Sequence, residues 1–144
     1  MSIADVQAKR LIVHADGRGY LFEGLRADDG LFGGRYGQCL ISVLHDGVIK
    51  GLHLHRKQTD FTLCAKGRVL YVATDGTKVR KFLLDGAAPV LLKIPPGVWH
   101  GYQAIGGEAL LVHIMDMAYD PADTEARDPH AFGNLWHLHG VENV

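Results

Sequence analysis

Two stretches decide how this chain is read: Gly51-Leu52-His53-Leu54-His55-Arg56-Lys57-Gln58-Thr59-Asp60 and Pro95-Pro96-Gly97-Val98-Trp99-His100-Gly101. In an extended strand alternate residues share a face, so His53 and His55 point the same way. If the next strand begins near Gln58, then Gln58, Asp60 and Thr62 line one of its faces. His100 follows a Pro-Pro-Gly turn and shares its strand face with Val98 and Tyr102. Strands that close around these positions bring three imidazoles and a carboxylate into one cavity.

The rest of the chain is built to make such strands. Its 18 glycines include five Asp-Gly dipeptides, at Asp16-Gly17, Asp29-Gly30, Asp46-Gly47, Asp75-Gly76 and Asp85-Gly86. Asp-Gly between apolar runs is a hairpin signal, because both residues tolerate positive φ. Between the turns lie short runs rich in branched and aromatic residues. Leu11 to His14, Tyr20 to Leu25, Gln38 to Leu44 and Val48 to His55 come first; Asp60 to Ala65, Val69 to Thr74 and Val79 to Leu84 follow. Val90 to Ile94, Val98 to Ala104 and Ala109 to Met115 complete the set. This spacing predicts an all-β domain, an antiparallel barrel or jelly roll with minimal helix. Asp120 to Ala126 is the one stretch that reads as a short turn of helix, with Pro121 at its first position.

At 144 residues the sequence reads as one domain spanning 1–144, with 47% hydrophobic residues and a net charge of −1. That balance gives no basic footprint for nucleic acid. No apolar run of membrane-spanning length occurs, and the N-terminal residues do not resemble a signal peptide. Two cysteines, Cys39 and Cys64, are too few for a disulfide framework and suit a reducing cytoplasm. Cys64 reads as a buried thiol.

At its two opening motifs the sequence resembles the cupins, small antiparallel β-barrels with a polar cavity. His53, His55, Asp60 and Gly67 follow the order of the first cupin motif, with Asp60 where glutamate is usual; Pro95, Gly97 and His100 match the second. Within the cupins the chain is similar to the dTDP-4-dehydrorhamnose 3,5-epimerase family over nearly its whole length. Asp16-Gly17-Arg18-Gly19 with Glu23 resembles the family's entry strand, whose arginine contacts the nucleotide across a dimer. Lys50-Gly51-Leu52-His53 resembles the segment carrying the catalytic base. Pro96 to Gly101 and Tyr119-Asp120-Pro121 with Glu125 resemble two further family motifs.

The resemblance implies an epimerase (3- or 3,5-) or 3,4-keto-isomerase of a nucleotide-linked 4-keto-6-deoxy sugar, abstracting a proton next to the ketone with His53 as base. It also implies a homodimer and no cofactor. Four departures bear on the chemistry. The family's enolate-stabilising lysine falls on Asp60, its general-acid tyrosine falls on His113, and His55 stands where glutamine is usual. The aspartate that orients the base has no clear match. Histidine suits the base role because its ordinary pKa lies near neutrality. His55, His100 or His113, if protonated, would replace the missing lysine, and His113 or Tyr119 would return a proton to the opposite face. Arg18, Glu23, Gln38, Lys50, Gln58, Asp60, His100 and Tyr102 form the expected substrate-binding set, Arg18 because a guanidinium forks onto phosphate oxygens.

Two other readings fit the same residues. His53, His55, Asp60 and His100 would suit a divalent Zn, Fe, Ni or Mn ion, making a metal-dependent small-molecule isomerase or oxygenase. A cavity without chemistry would leave a sugar-binding protein. The bland alternatives are a solvated charge for Arg18 or Lys50, and packing for Tyr36, Trp99 and Tyr102. His14, His45, His130, His137 and His139 read as surface or structural.

Overall fold

The computed structural model describes residues 2–144. Twelve strands form, and two short 3-10 turns, at Ile3–Asp5 and Pro121–Asp123, are the only helical elements among the described residues. The strands are β1 (Gln7–Arg10), β2 (Val13–Asp16), β3 (Gly19–Phe22) and β4 (Gln38–Leu44). Next come β5 (Ile49–His55), β6 (Asp60–Lys66), β7 (Arg68–Thr74) and β8 (Val79–Asp85). The last are β9 (Val90–Ile94), β10 (Trp99–Ala104), β11 (Ala109–Met115) and β12 (Thr124–Ala126).

Their pairing explains the architecture. β7 pairs with β8, β6 with β9, β5 with β10 and β4 with β11, every pair antiparallel. The chain is therefore one long hairpin, tipped at Asp75-Gly76 and wound over itself as a jelly roll. Winding separates the strands into two five-stranded sheets, ordered β1-β9-β6-β11-β4 and β12-β5-β10-β7-β8, with β2 and β3 forming a small sheet of their own. The sheets face each other and do not close into a barrel, so the barrel alternative gives way to the jelly roll.

Three local expectations need correction. Only Asp16-Gly17 and Asp75-Gly76 join strands that pair with each other; Asp46-Gly47 and Asp85-Gly86 carry the chain from one sheet to the other, and Asp29-Gly30 lies in a loop. Asp-Gly supplies the tight backbone turn, but which strand is then met depends on the winding. The first expected strand, Leu11 to His14, is split. The charged run Gln7–Arg10 pairs with β9, because edge pairing needs only backbone groups, and β2 starts anew at Val13. The expected helical turn from Asp120 stops after Asp123, capped by the Asp120 side chain, and Thr124–Ala126 pairs with β5.

The core lies between the sheets. Tyr71, Phe82, Leu84, Leu92, Ile94 and Leu111 are each at most 1% exposed and pack in one cluster; burying one such side chain stabilises the fold by roughly 1.5–3 kcal/mol. Cys64 is part of this core, as expected of a buried thiol. Trp99 packs beside Phe132 under the Arg127 guanidinium, which lies 4.8 Å from the indole. Glycine is required where β5 meets β10. A Cβ at Gly51 would stand 2.8 Å from the Gly101 Cα, and one at Gly101 would stand 2.6 Å from the Lys50 carbonyl oxygen. This close approach, with a bulge after His100, holds His53 directly opposite His100.

Candidate active site

The cavity opens between the two sheets at the end where the histidine motifs lie. It has a volume of about 230 Å³. β5 contributes His53 and His55, β10 contributes His100 and Tyr102, and the facing sheet contributes Asp60 and His113. Gln58, Tyr119 and Thr124 complete the polar lining, and Leu40, Tyr71 and Met115 supply apolar wall. The cross-strand pairs His100–His53 and His113–Thr62 follow from the winding, which no local pattern reveals.

Asp60 is the buried centre of the site. Its Oδ2 lies 3.3 Å from His100 Nε2 and 3.5 Å from His55 Nε2, while Gln58 Nε2 donates to Oδ1 at 2.6 Å. Burial pushes the carboxyl pKa up, but the hydrogen bonds from His100 and His55 outweigh it and hold the group well below the usual carboxylate range. The far nitrogens of both rings are anchored as well. His100 Nδ1 lies 3.0 Å from the Val98 carbonyl oxygen and donates to it, and His55 Nδ1 is 3.0 Å from Thr124 Oγ1. Thr124, on the short strand read from sequence as helix, is a site residue that no sequence signal singles out.

His53 differs from its neighbours. It sits exposed at the cavity mouth, and its ring makes no hydrogen bond among the described residues. Partial withdrawal from water lowers its pKa below the ordinary 6.5, and nearby His100 and His55 lower it further against the pull of Asp60. It is thereby kept neutral, with an uncommitted nitrogen available to take a proton.

His113 is 4% exposed and held at both nitrogens: Nδ1 is 2.9 Å from Thr62 Oγ1 and Nε2 is 3.2 Å from the Tyr102 hydroxyl. Burial drives its pKa from 6.5 to about 4, with Asp60 opposing and His100 and Lys50 assisting. A folded-state pKa below the unfolded value means that the unfolded chain takes the proton first. Stability is therefore undiminished above pH 6.5 and falls as the pH drops toward about 4. The shift corresponds to about 3 kcal/mol. Urea unfolding at pH 7 and pH 4.5 should show this loss in the parent and a smaller one in His113→Gln; equal slopes would show that His113 is not the group responsible.

The remaining expected residues lie elsewhere. Arg18, at the tip of the β2–β3 hairpin, pairs with Asp16, and Glu23 pairs with Arg26; neither reaches the cavity of its own chain. Lys50 Nζ donates to Ser42 Oγ at 3.1 Å behind the cavity wall. Gln38 accepts from the Tyr119 backbone amide and so positions the mouth segment. Tyr36 is exposed. The donor atoms of His55, Asp60 and His100 lie within 4.8 Å of one another and suit a divalent cation in type, with His53 outside the group. Those atoms are already partnered by one another, which satisfies the cluster without an ion.

Fold and site together define a cupin-like jelly roll whose cavity pairs an unencumbered histidine with a fixed histidine–aspartate cluster, an arrangement suited to moving protons on a small polar substrate. A sequence model of the dTDP-4-dehydrorhamnose 3,5-epimerase family matches residues 1–131, and the chain belongs to that family of isomerases. The spore coat polysaccharide biosynthesis protein SpsL of Bacillus subtilis is 32% identical over 146 residues, covering 93% of this chain and 96% of its own. The probable low-salt glycan biosynthesis epimerase Agl13 of Haloferax volcanii is 31% identical over 133 residues, covering 86% and 85%. In fold, the chain resembles the dTDP-6-deoxy-D-glucose-3,5-epimerase of Legionella pneumophila, solved with dTDP-4-keto-L-rhamnose. That match has a TM-score of 0.85 at 21% identity and covers 99% of this chain and 84% of the other.

Proposed function

We propose that this protein is a cytoplasmic epimerase of a nucleotide-linked 4-keto-6-deoxy sugar, acting in the biosynthesis of a polysaccharide or glycan. The observation that carries the reading is the uncommitted His53 imidazole at the mouth of a cavity whose other histidines are all hydrogen-bonded. Family membership supports the substrate class, and the two curated relatives support the biosynthetic setting.

In this mechanism His53 takes the proton from the carbon beside the ketone. The electron pair moves into the carbonyl as an enolate, and hydrogen-bond donors around the developing oxyanion lower the barrier. His55 and His100 serve where the family has a lysine, with their Nε2 atoms on Asp60, and either ring meets the oxyanion by trading its Asp60 contact for the substrate oxygen. The cluster thus replaces one flexible cation by rings of fixed orientation. Incubating the protein in heavy water with a dTDP-linked 4-keto-6-deoxy hexose tests the reading. Deuterium should enter beside the ketone, and saturable binding without any exchange would leave a sugar-binding protein instead.

The described residues include no helix long and apolar enough to cross a membrane. Assembly as a homodimer is part of the same proposal. β4 is a sheet edge whose Leu40, Ile41 and Val43 are exposed, and the β2–β3 hairpin exposes Val13, Tyr20 and Leu21. Two apolar surfaces, one of them an unpaired strand edge, support an exchanged hairpin that adds to β4 of a second copy. Arg18 and Glu23 would then reach the partner's cavity mouth. Light scattering should give twice the mass of the chain, and Arg18→Ala should raise KM for the nucleotide sugar about tenfold with little change in kcat. A monomer at working concentration would remove this part of the proposal.

A further inference from the structure

We propose that Tyr102 is the acid that delivers the second proton of the epimerisation, with His113 as the positioning residue behind it. This assignment rests on the epimerase reading above and moves to Tyr102 a step that the family resemblance places on His113 or Tyr119.

Neither of those residues is suited to the step. His113 is buried on β11 with both ring nitrogens engaged, so no atom of it is free to meet a substrate carbon. Tyr119 lies 62% exposed at the mouth, where water competes for its hydroxyl. Tyr102 lines the cavity wall two residues beyond His100 on the same face of β10. Its ring is seated against Tyr71 and His113, with centroids 5.8 and 5.3 Å away.

One tautomer of His113 leaves the phenolic hydrogen free for the cavity. The Tyr71 hydroxyl is fully buried without a partner in bonding geometry, and Thr62 is the polar neighbour that acts on it. When the Thr62 hydroxyl donates to His113 Nδ1, the ring carries its hydrogen on Nε2 and donates it to the Tyr102 oxygen. The phenolic hydrogen is then left to point into the cavity. Ser42, reached by Lys50 Nζ at 3.1 Å, flanks the same phenol and offsets part of the upward pull that burial exerts on its pKa. A tyrosinate formed there is met by the His113 N–H and by Ser42, with the lysine cation behind.

The step balances without any added reagent. His53 first takes a proton from the carbon beside the ketone, leaving the enolate. Tyr102 rises from the sheet that carries His53, but its hydroxyl reaches the facing sheet, 3.2 Å from His113 Nε2. There its O–H bond breaks and a C–H bond forms on the side of the carbon away from His53, the enolate pair restoring the C=O. Tyrosinate and imidazolium remain, and after product leaves each exchanges one proton with water.

The experiment measures deuterium wash-in and net inversion separately on a dTDP-linked 4-keto-6-deoxy hexose. Tyr102→Phe should keep wash-in within about tenfold of the parent, because His53 swaps its proton with solvent and returns deuterium to the same side. Inversion should fall about a hundredfold or more. His113→Phe should lower kcat for inversion about tenfold at unchanged KM and unchanged wash-in, and His113→Gln, which keeps a donor toward Tyr102, should recover most of it. Inversion that survives Tyr102→Phe overturns the assignment and leaves the epimerase reading standing, as does a His113→Phe protein that loses wash-in and inversion together. A parent that exchanges without inverting overturns it too, and a parent inert in both assays overturns the assignment and the epimerase reading alike.

Discussion

Replacing His53 by asparagine is expected to lower deuterium uptake into the keto-sugar by about a hundred- to ten-thousand-fold, the usual cost of removing a positioned general base. The expectation follows from how the four cavity histidines are occupied. His100 is tied to the Val98 carbonyl and Asp60, His55 to Thr124 and Asp60, and His113 to Thr62 and Tyr102. Only His53 has a nitrogen free to accept a proton. Asparagine preserves polarity and approximate bulk, so binding of the free nucleotide diphosphate should stay within a few-fold while exchange collapses. The lowered pKa of His53 adds a second readout. A base works only when unprotonated, so kcat/KM should rise with pH through a pKa below the ordinary 6.5 and level off above it. A His53→Asn variant that exchanges as fast as the parent, or an acid limb above the ordinary histidine value, would overturn the assignment.

The second large effect is on stability. Asp60→Ala should destabilise the fold by about 3–5 kcal/mol, the range for removing one partner of a buried charged cluster. Three donors converge on this carboxylate, from His55, His100 and Gln58, and alanine leaves all of them facing a void. Asp60→Asn fills the void but turns two donors toward a neutral amide, so its cost should be smaller while its effect on turnover stays severe. Denaturant unfolding at pH 7 measures both. A loss under about 1 kcal/mol for alanine would mean that water replaces the carboxylate at little cost, and that the cluster is not what fixes His55 and His100.

The strands from Gln38 to Met115 were legible in the sequence because period-two alternation and turn residues are local signals, and those strands are joined by short connections. The cavity was legible because His53 with His55, and His100 after Pro-Pro-Gly, carry their facing with them. What local pattern could not convey is which strand sits beside which. Thr124 entered the site through β12, three residues whose extended form comes from pairing with β5 and not from their own composition. His113 was assigned chemistry by its position in a family pattern. Its burial between Thr62 and Tyr102 depends on β11 facing β10 across the cavity, a relation between sheets. Arg18 and Glu23 show the same limit from the other side, since their expected role concerns a second copy of the chain.

The nested pairing of β4 with β11 around β5–β10, β6–β9 and β7–β8 also sets the order in which the molecule can be made. Closing β7 on β8 needs only the short connection around Asp75-Gly76, whereas bringing Gln38 to Met115 joins residues at opposite ends of the wound hairpin. Loop-closure entropy favours the short closure first, with each later pair shortening the effective loop for the next. Folding should therefore zip outward from the β7–β8 tip at the millisecond-to-second pace of proteins dominated by distant contacts. The two tip strands contribute only Tyr71 to the cavity lining; the histidines and Asp60 sit on β5, β6, β10 and β11. The candidate pocket is thus the last thing to be completed, and a partly folded chain carries its histidines without the arrangement that ties three of them and leaves His53 uncommitted.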